Sequence, residues 1–246
     1  MKYPSSYFLV THGSRDPRPQ VALEKLAALV LERLAENSNQ TSLPLVDTGT
    51  LEFGPVSLAE QLQQFAEKTR FSGLSKIQVI PLFLLSGVHV TGDIPEQVEQ
   101  AQKSLGNAVK IEVLPHLGAQ PELLHLLANQ QANKTAERWI LLSHGSRRSS
   151  ANQIVENMAE KLGAVAAYWS VQPSLEQRFQ ELVEAGYQKI VILPYFLFPG
   201  GITDAIAQTV EQLSLNFPQV NLVLTETLEA NPQLANIIAN LIEKYQ

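Results

Sequence analysis

The sequence predicts an α/β protein of two tandem, related domains, each a parallel sheet flanked by helices. The first observation behind this is an internal duplication. Phe8-Leu9-Val10-Thr11-His12-Gly13-Ser14-Arg15 returns as Ile140-Leu141-Leu142-Ser143-His144-Gly145-Ser146-Arg147, and Lys76-Ile77-Gln78-Val79-Ile80-Pro81-Leu82-Phe83-Leu84 returns as Lys189-Ile190-Val191-Ile192-Leu193-Pro194-Tyr195-Phe196-Leu197. The second is strict alternation of apolar, β-branched runs with segments of helical periodicity. Strands that are apolar throughout belong to parallel sheets covered on both faces, with right-handed crossovers.

Taken in order, the first half offers strands at Tyr7–Thr11, Leu43–Phe53, Lys76–Phe83 and Val109–Leu114. In Val21–Ala35 the apolar residues Leu23, Leu26, Ala27, Val30, Leu31 and Leu34 recur at three- and four-residue spacing, which predicts an amphipathic helix. Ser57 with Glu60 three residues later is a capping box that opens a second helix. Pro95 suits the first turn of a helix running to about Leu105, and Pro121 opens another over Glu122–Asn129. The second half repeats the plan, with strands near Trp139–Ser143, Ala164–Ser170, Lys189–Tyr195 and Asn221–Thr225. Its helices fall near Ser150–Leu162, Ser174–Ala185, Thr203–Leu215 and Pro232–Lys244. The polar, weakly periodic segment Asn129–Thr135 predicts a linker, giving domains at 1–130 and 131–246.

Composition narrows the function. Hydrophobic residues make up 45% and charged residues 17% of the 246, as in a globular protein with filled interiors. The absence of cysteine excludes disulfides, thiolate metal sites and iron–sulfur clusters. No apolar run approaches bilayer length, and Met1–Ser6 lacks the start of a secretory signal, so the expected location is cytoplasmic, with no membrane partner. The net charge of −6 and the lack of a Lys/Arg stripe disfavour nucleic acid as a partner.

The chemistry-bearing residues are distributed unequally between the copies. His12 follows the first strand, Glu52 the second and His89 the third, and in open α/β sheets ligands gather beyond the carboxyl ends of the strands. Two imidazoles and a carboxylate suit a borderline divalent metal such as Fe, Co, Ni or Zn. The second copy retains His144 but has Ser170 or Trp169 where the first has Glu52, and Gly201 or Ile202 where it has His89, depending on a one-residue slip. Arg15 and Arg147 occupy equivalent places, with Arg148 beside the latter. Their planar guanidinium forks suit carboxylates, or pairing with nearby acids such as Asp16. The ring-rich strand ends, Pro81–Gly87 and Pro194–Gly201, are core in part and also suit the wall of a pocket for a flat organic molecule. Candidate substrate contacts are Ser14, Arg15, Ser86, Gly87 and Val88 in the first half, with His144 and Arg147 in the second. His116 follows a strand and is placed towards the same cleft; His125, mid-helix, reads as structural. Gly13-Ser14 is too short a signal for phosphate binding.

At Thr11-His12-Gly13-Ser14-Arg15-Asp16, with Ile80–Val90 and Asp93-Ile94-Pro95, the chain resembles the sirohydrochlorin chelatases, the ATP-independent class II enzymes of the CbiX and SirB type. The resemblance covers nearly the whole chain. It implies two chelatase-like (flavodoxin-like) domains facing one cleft, in which divalent cobalt or iron enters sirohydrochlorin towards siroheme or cobalamin. It further implies His12 and His89 as metal-handling residues and Glu52 as a third catalytic group, although the Leu51–Leu58 segment departs in spacing from the family pattern. No permanently bound cofactor is implied: cobalt or iron is a substrate, and the expected assembly is a monomer or homodimer. The His-rich stretch and Cys-ligated cluster of long cobalt-type members are not matched. Two rivals share the cleft: a non-catalytic metal or tetrapyrrole carrier, and phosphoryl transfer by His12. The latter ordinarily wants an Arg beside the histidine, where this chain has Thr11.

Overall fold

A computed structural model describes residues 5–36, 44–132 and 134–246. Leu43, expected to open the second strand, Met1–Pro4 of the leader reading and Asn133 of the expected linker lie outside the described residues. The chain divides into two compact units, one formed by Met1–Gln120 with Ala230–Gln246, the other by Pro121–Glu229.

In the first unit four parallel strands, β1 (Ser6–Thr11), β2 (Leu45–Thr50), β3 (Lys76–Pro81) and β4 (Lys110–Val113), lie in the order β2-β1-β3-β4. Reversal of strand order between β1 and β3 opens a crevice at the carboxyl ends, the usual ligand position in such sheets. Alternate strand residues feed opposite faces. Phe8, Val10, Ile77 and Val79 join one core with Leu58, Leu62 and Phe65 of α2 (Leu58–Phe71) and Ile94, Val98 and Ala101 of α3 (Ile94–Leu105). On the other face the Tyr7 hydroxyl accepts a hydrogen bond of 2.6 Å from the Gln246 side-chain amide, and burial pushes the phenol pKa up.

Ser57 and Glu60 form the expected capping box: the serine hydroxyl accepts from Glu60 N at 3.2 Å, and Glu60 accepts from Ser57 N at 2.9 Å. The first helix, α1 (Arg18–Glu36), starts a turn before the periodic apolar residues begin, and β2 is shorter than the run Leu43–Phe53. Ahead of α3 stands a single wide π turn, His89–Asp93, in which Ile94 N donates to His89 O.

The second unit repeats the sheet as β6-β5-β7-β8, with β5 (Arg138–Ser143), β6 (Ala164–Tyr168), β7 (Lys189–Tyr195) and β8 (Asn221–Leu224) all parallel. Ile140, Ile190 and Ile192 pack with Leu175 and Phe179 of α6 (Leu175–Glu184) and Ile206 and Val210 of α7 (Gly201–Asn216). Between β5 and β6 runs α5 (Ser149–Lys161).

The compact units do not meet at the expected 130/131 boundary, because two helices fall on the other side of it. The fourth, α4 (Glu122–Ala132), runs into the expected linker and belongs to the second unit. There the Gln130 and Gln131 side chains donate to the carbonyls of Thr227 and Leu162. The last, α8 (Pro232–Lys244), belongs to the first unit, where it packs on α1. An amphipathic pattern shows that a helix has an apolar face but not which sheet that face covers. No helix among the described residues is long and apolar enough to cross a membrane.

Because α8 buries Leu234, Ala235, Ile237, Ile238, Ala239, Leu241 and Ile242, it is part of the first unit's interior although it lies more than a hundred residues away in sequence. Ile238→Ala should cost about 2–5 kcal/mol. Urea unfolding followed by a probe in β1–β4 should register that loss.

Candidate metal centre

The crevice of the first unit is built from backbone outward. Past the last pairing of β1 with β2, the ladder continues through Leu51 N donating to Thr11 O at 2.9 Å and Glu52 N donating to His12 O at 2.8 Å. These two bonds set Glu52 beside His12. Gly13 follows with φ +92°, a conformation that side chains with a Cβ resist. A Cβ there would stand 2.0 Å from the Glu52 carbonyl oxygen. Gln61 of α2 pins the loop that carries Glu52: its oxygen accepts from Thr50 N, and its amide donates to the carbonyls of Thr50 and Val56.

On this frame His12, Glu52 and His89 each offer one ligand atom, and the three atoms lie within 4.8 Å of one another. The His12 and His89 rings stand edge to face with centroids 4.9 Å apart, and His12 Nε2 is 3.7 Å from Glu52 Oε2. His12 Nδ1 lies 3.1 Å from Gly13 O, which only accepts. That contact assigns the proton to Nδ1 and leaves the Nε2 lone pair for a ligand. Two nitrogens and an oxygen with open positions are a donor set that could hold a borderline divalent metal.

Apolar surface surrounds the cluster. Phe53 is 54% exposed, has φ +58° and lies 6.1 Å from His12 between ring centroids; Phe83 lies 6.0 Å from His89, and Val88 is 50% exposed. Arg15 does not pair with Asp16. Its guanidinium sits 5.5 Å from the centre of the Phe53 ring, while Asp16 binds Arg18, whose hydrogen bond lowers the Asp16 pKa. The Ser14 hydroxyl accepts from Asp16 N and shapes the turn. Gly87 O accepts from both the backbone and the hydroxyl of Thr91, and Ser86 is half-buried beside it.

His144 and Arg147 occupy the equivalent end of β5 in the second unit. The frame there is the same: Trp169 N donates to Ser143 O, Ser170 N donates to His144 O, and Gly145 has φ +80°. This register places Ser170, not Trp169, opposite Glu52. The Ser170 hydroxyl donates to His144 O at 2.8 Å, and the twin carboxylate is gone. Arg147 and Arg148 are exposed and have no ion pair among the described residues. His125 is exposed on α4. His116 is half-buried, and desolvation lowers its pKa.

Two residues of this centre went unassigned at the level of sequence. Asp93 carries an oxygen 2.6 Å from His89 Nδ1, and Phe53 forms the exposed ring beside His12. The His-x-x-x-Asp spacing, which puts two side chains on one helical face, was the available signal for Asp93. Nothing local distinguishes Phe53 from a core phenylalanine.

Comparison with known proteins follows the same outline. The CbiX family model matches residues 6–134 and again 138–245. The chain is 24% identical to a sirohydrochlorin ferrochelatase of Priestia megaterium over 98% of this chain and 90% of that one. It is equally 24% identical to a sirohydrochlorin cobaltochelatase of the same organism, over 98% of this chain and 80% of the other. Among solved structures, SirB from Bacillus subtilis with Fe3+ superposes with a TM-score of 0.77 at 23% identity, covering 98% of this chain and 95% of that one.

Gly13→Ala should push Glu52 from His12 and lose Co2+ uptake, followed by visible absorption. Gly145→Ala should cost stability, of order 1–2 kcal/mol for the left-handed backbone, and leave uptake intact. The lowered pKa of His116 carries its own sign. Below about pH 6.5 the unfolded imidazole binds a proton that the folded one resists, so stability held at neutral pH falls as the pH falls. His116→Asn should flatten the slope of melting temperature between pH 7 and 5.

Proposed function

This chain belongs to the CbiX family, and from that premise we propose that it inserts divalent cobalt or iron into sirohydrochlorin without ATP. The reading rests on one observation above all: His12, Glu52 and His89, remote in sequence, bring three ligand atoms within 4.8 Å at a strand-order reversal. Relatives of near full-length coverage, named as ferrochelatase and cobaltochelatase, support the same reading.

Insertion asks three things of the protein. The incoming ion must shed water, two pyrrole protons must leave, and the macrocycle must be held with its nitrogens accessible. Neutral imidazoles at His12 and His89 replace water on the ion, and the open coordination positions let the ring nitrogens take over. Glu52, half-exposed and beside His12, is the carboxylate placed to take a proton as general base. Phe53, Phe83 and Val88 offer an apolar face to a flat ring, and Arg15 offers a planar fork to its peripheral carboxylates. Ser14, Ser86 and Gly87 line the same strand ends.

The donor set accepts cobalt and iron alike, because nitrogen–oxygen sites follow general affinity order and cells select by supply. The product feeds siroheme or cobalamin formation according to the metal. We place the reaction in the cytoplasm, as a lyase acting as monomer or homodimer.

Mixing the protein with sirohydrochlorin and Co2+ or Fe2+ should change the pigment's absorption spectrum over many turnovers. A change limited to one equivalent would make the protein a carrier instead. His12→Ala and His89→Ala should each lower turnover about 100-fold or more, and His144→Ala far less. The reverse order would move the site to the second unit.

A further inference from the structure

The wide turn that carries His89 is absent from the duplicate, and comparison of the two units shows what it adds. Phe83 and Phe196 are equivalent: each carbonyl accepts a backbone bond from the segment that follows the fourth strand of its unit, from Gly118 N and Leu228 N. Ile94 and Val98 in the first core correspond to Ile206 and Val210 in the second. Ile94 lies eleven residues beyond Phe83, but Ile206 only ten beyond Phe196. The first unit therefore holds one extra residue. It is accommodated where the chain winds as the π turn His89–Asp93, whereas α7 starts at Gly201 as a regular α-helix. Counting back from the core residues puts Gly201 opposite His89 and Ala205 opposite Asp93, so the histidine and the aspartate are missing together. Single π turns occur frequently at functional sites.

Asp93 stands at the N-terminal boundary of α3, where an aspartate commonly caps the helix, yet its side chain makes no capping bond. Among the described residues its recorded partner is His89 Nδ1, at 2.6 Å. A carboxylate oxygen accepts, so the imidazole donates from Nδ1 and keeps its lone pair on Nε2. His12 reaches the same protonation pattern by another route, through Gly13 O. We propose that Asp93 is the positioning residue of the metal centre. It fixes the rotation and tautomer of His89 so that Nε2 meets the ion together with His12 and Glu52, and the extra residue of the π turn supplies the geometry for that contact. Carboxylates bonded to the far nitrogen of a ligating histidine orient the ring and raise its basicity. The inference rests on the metal-handling reading above and adds to it the group that holds the ligand.

The test uses the full chain and Co2+ alone. Asp93→Ala should weaken Co2+ binding, read by visible absorption titration, about 10- to 100-fold, with an unchanged melting temperature. Asp93→Asn, whose amide oxygen still accepts from Nδ1, should recover most of the affinity. Nitrogen-15 NMR of the metal-free protein should show His89 protonated at Nδ1 in the parent and in Asp93→Asn, and a mixture of tautomers in Asp93→Ala. Affinity within twofold of the parent in Asp93→Ala, or an unchanged tautomer, would overturn the proposal. If the parent binds Co2+ no better than His89→Ala, the metal reading and this inference both fall. If it binds Co2+ through Asp93-held His89 but leaves sirohydrochlorin unchanged, the chelatase reading falls and this one stands.

Discussion

The pair of backbone hydrogen bonds that continues the β1–β2 ladder past its end is the constraint on which the first unit's site depends. Leu51 N to Thr11 O and Glu52 N to His12 O bring a carboxylate and an imidazole from different loops to adjacent positions. The close approach they impose leaves no volume for a side chain at Gly13. Backbone bonds suit this task because their geometry is fixed by the sheet rather than by rotamers. The third candidate ligand, His89, comes from beyond β3, the other neighbour of β1, so a single strand order accounts for all three. The side chains are then set by short local bonds, His12 on Gly13 O and His89 on Asp93.

Duplication supplies an internal control for that view. The second unit keeps the ladder extension, the positive-φ glycine and the histidine with Nδ1 turned to the next carbonyl, at 3.0 Å from Gly145 O. What it lacks are the π turn and three side chains: serine stands in place of Glu52, glycine in place of His89 and alanine in place of Asp93. Frame and chemistry are thus separable in this chain. The second sheet keeps the backbone frame of its first two strand ends without the candidate ligands of the first, because that frame serves the fold itself. His144 is best understood on the same terms, as a residue whose ring completes a turn.

Much of the architecture was legible because parallel strands and amphipathic helices carry periodic signals. Ser57 and Glu60 announced a capping box that the structure contains, and of the six apolar positions that marked α1 five are buried, Leu31 being half-buried. Local pattern lost its authority at α4 and α8. Leu123, Leu126 and Leu127 mark an apolar face on α4, and Ile238 with Leu241 marks one on α8, but the cores that receive them are chosen by the whole fold. The π turn was equally silent, since one added residue before Pro95 changes no periodicity that a short window can detect.

The sequence by itself determined the two-fold plan, the parallel sheets and the inequality of the copies, since each is written in local residue types and their repetition. It also named His12, Glu52 and His89 as neighbours, because strand ends in an open α/β sheet share one rim. Only the tertiary structure decided which unit each helix completes, that Ser170 rather than Trp169 stands opposite Glu52, and that Asp93 holds His89. Those are matters of long-range packing and of angstrom-scale register, where a shift of one residue exchanges one side chain for another, and no local pattern carries that information.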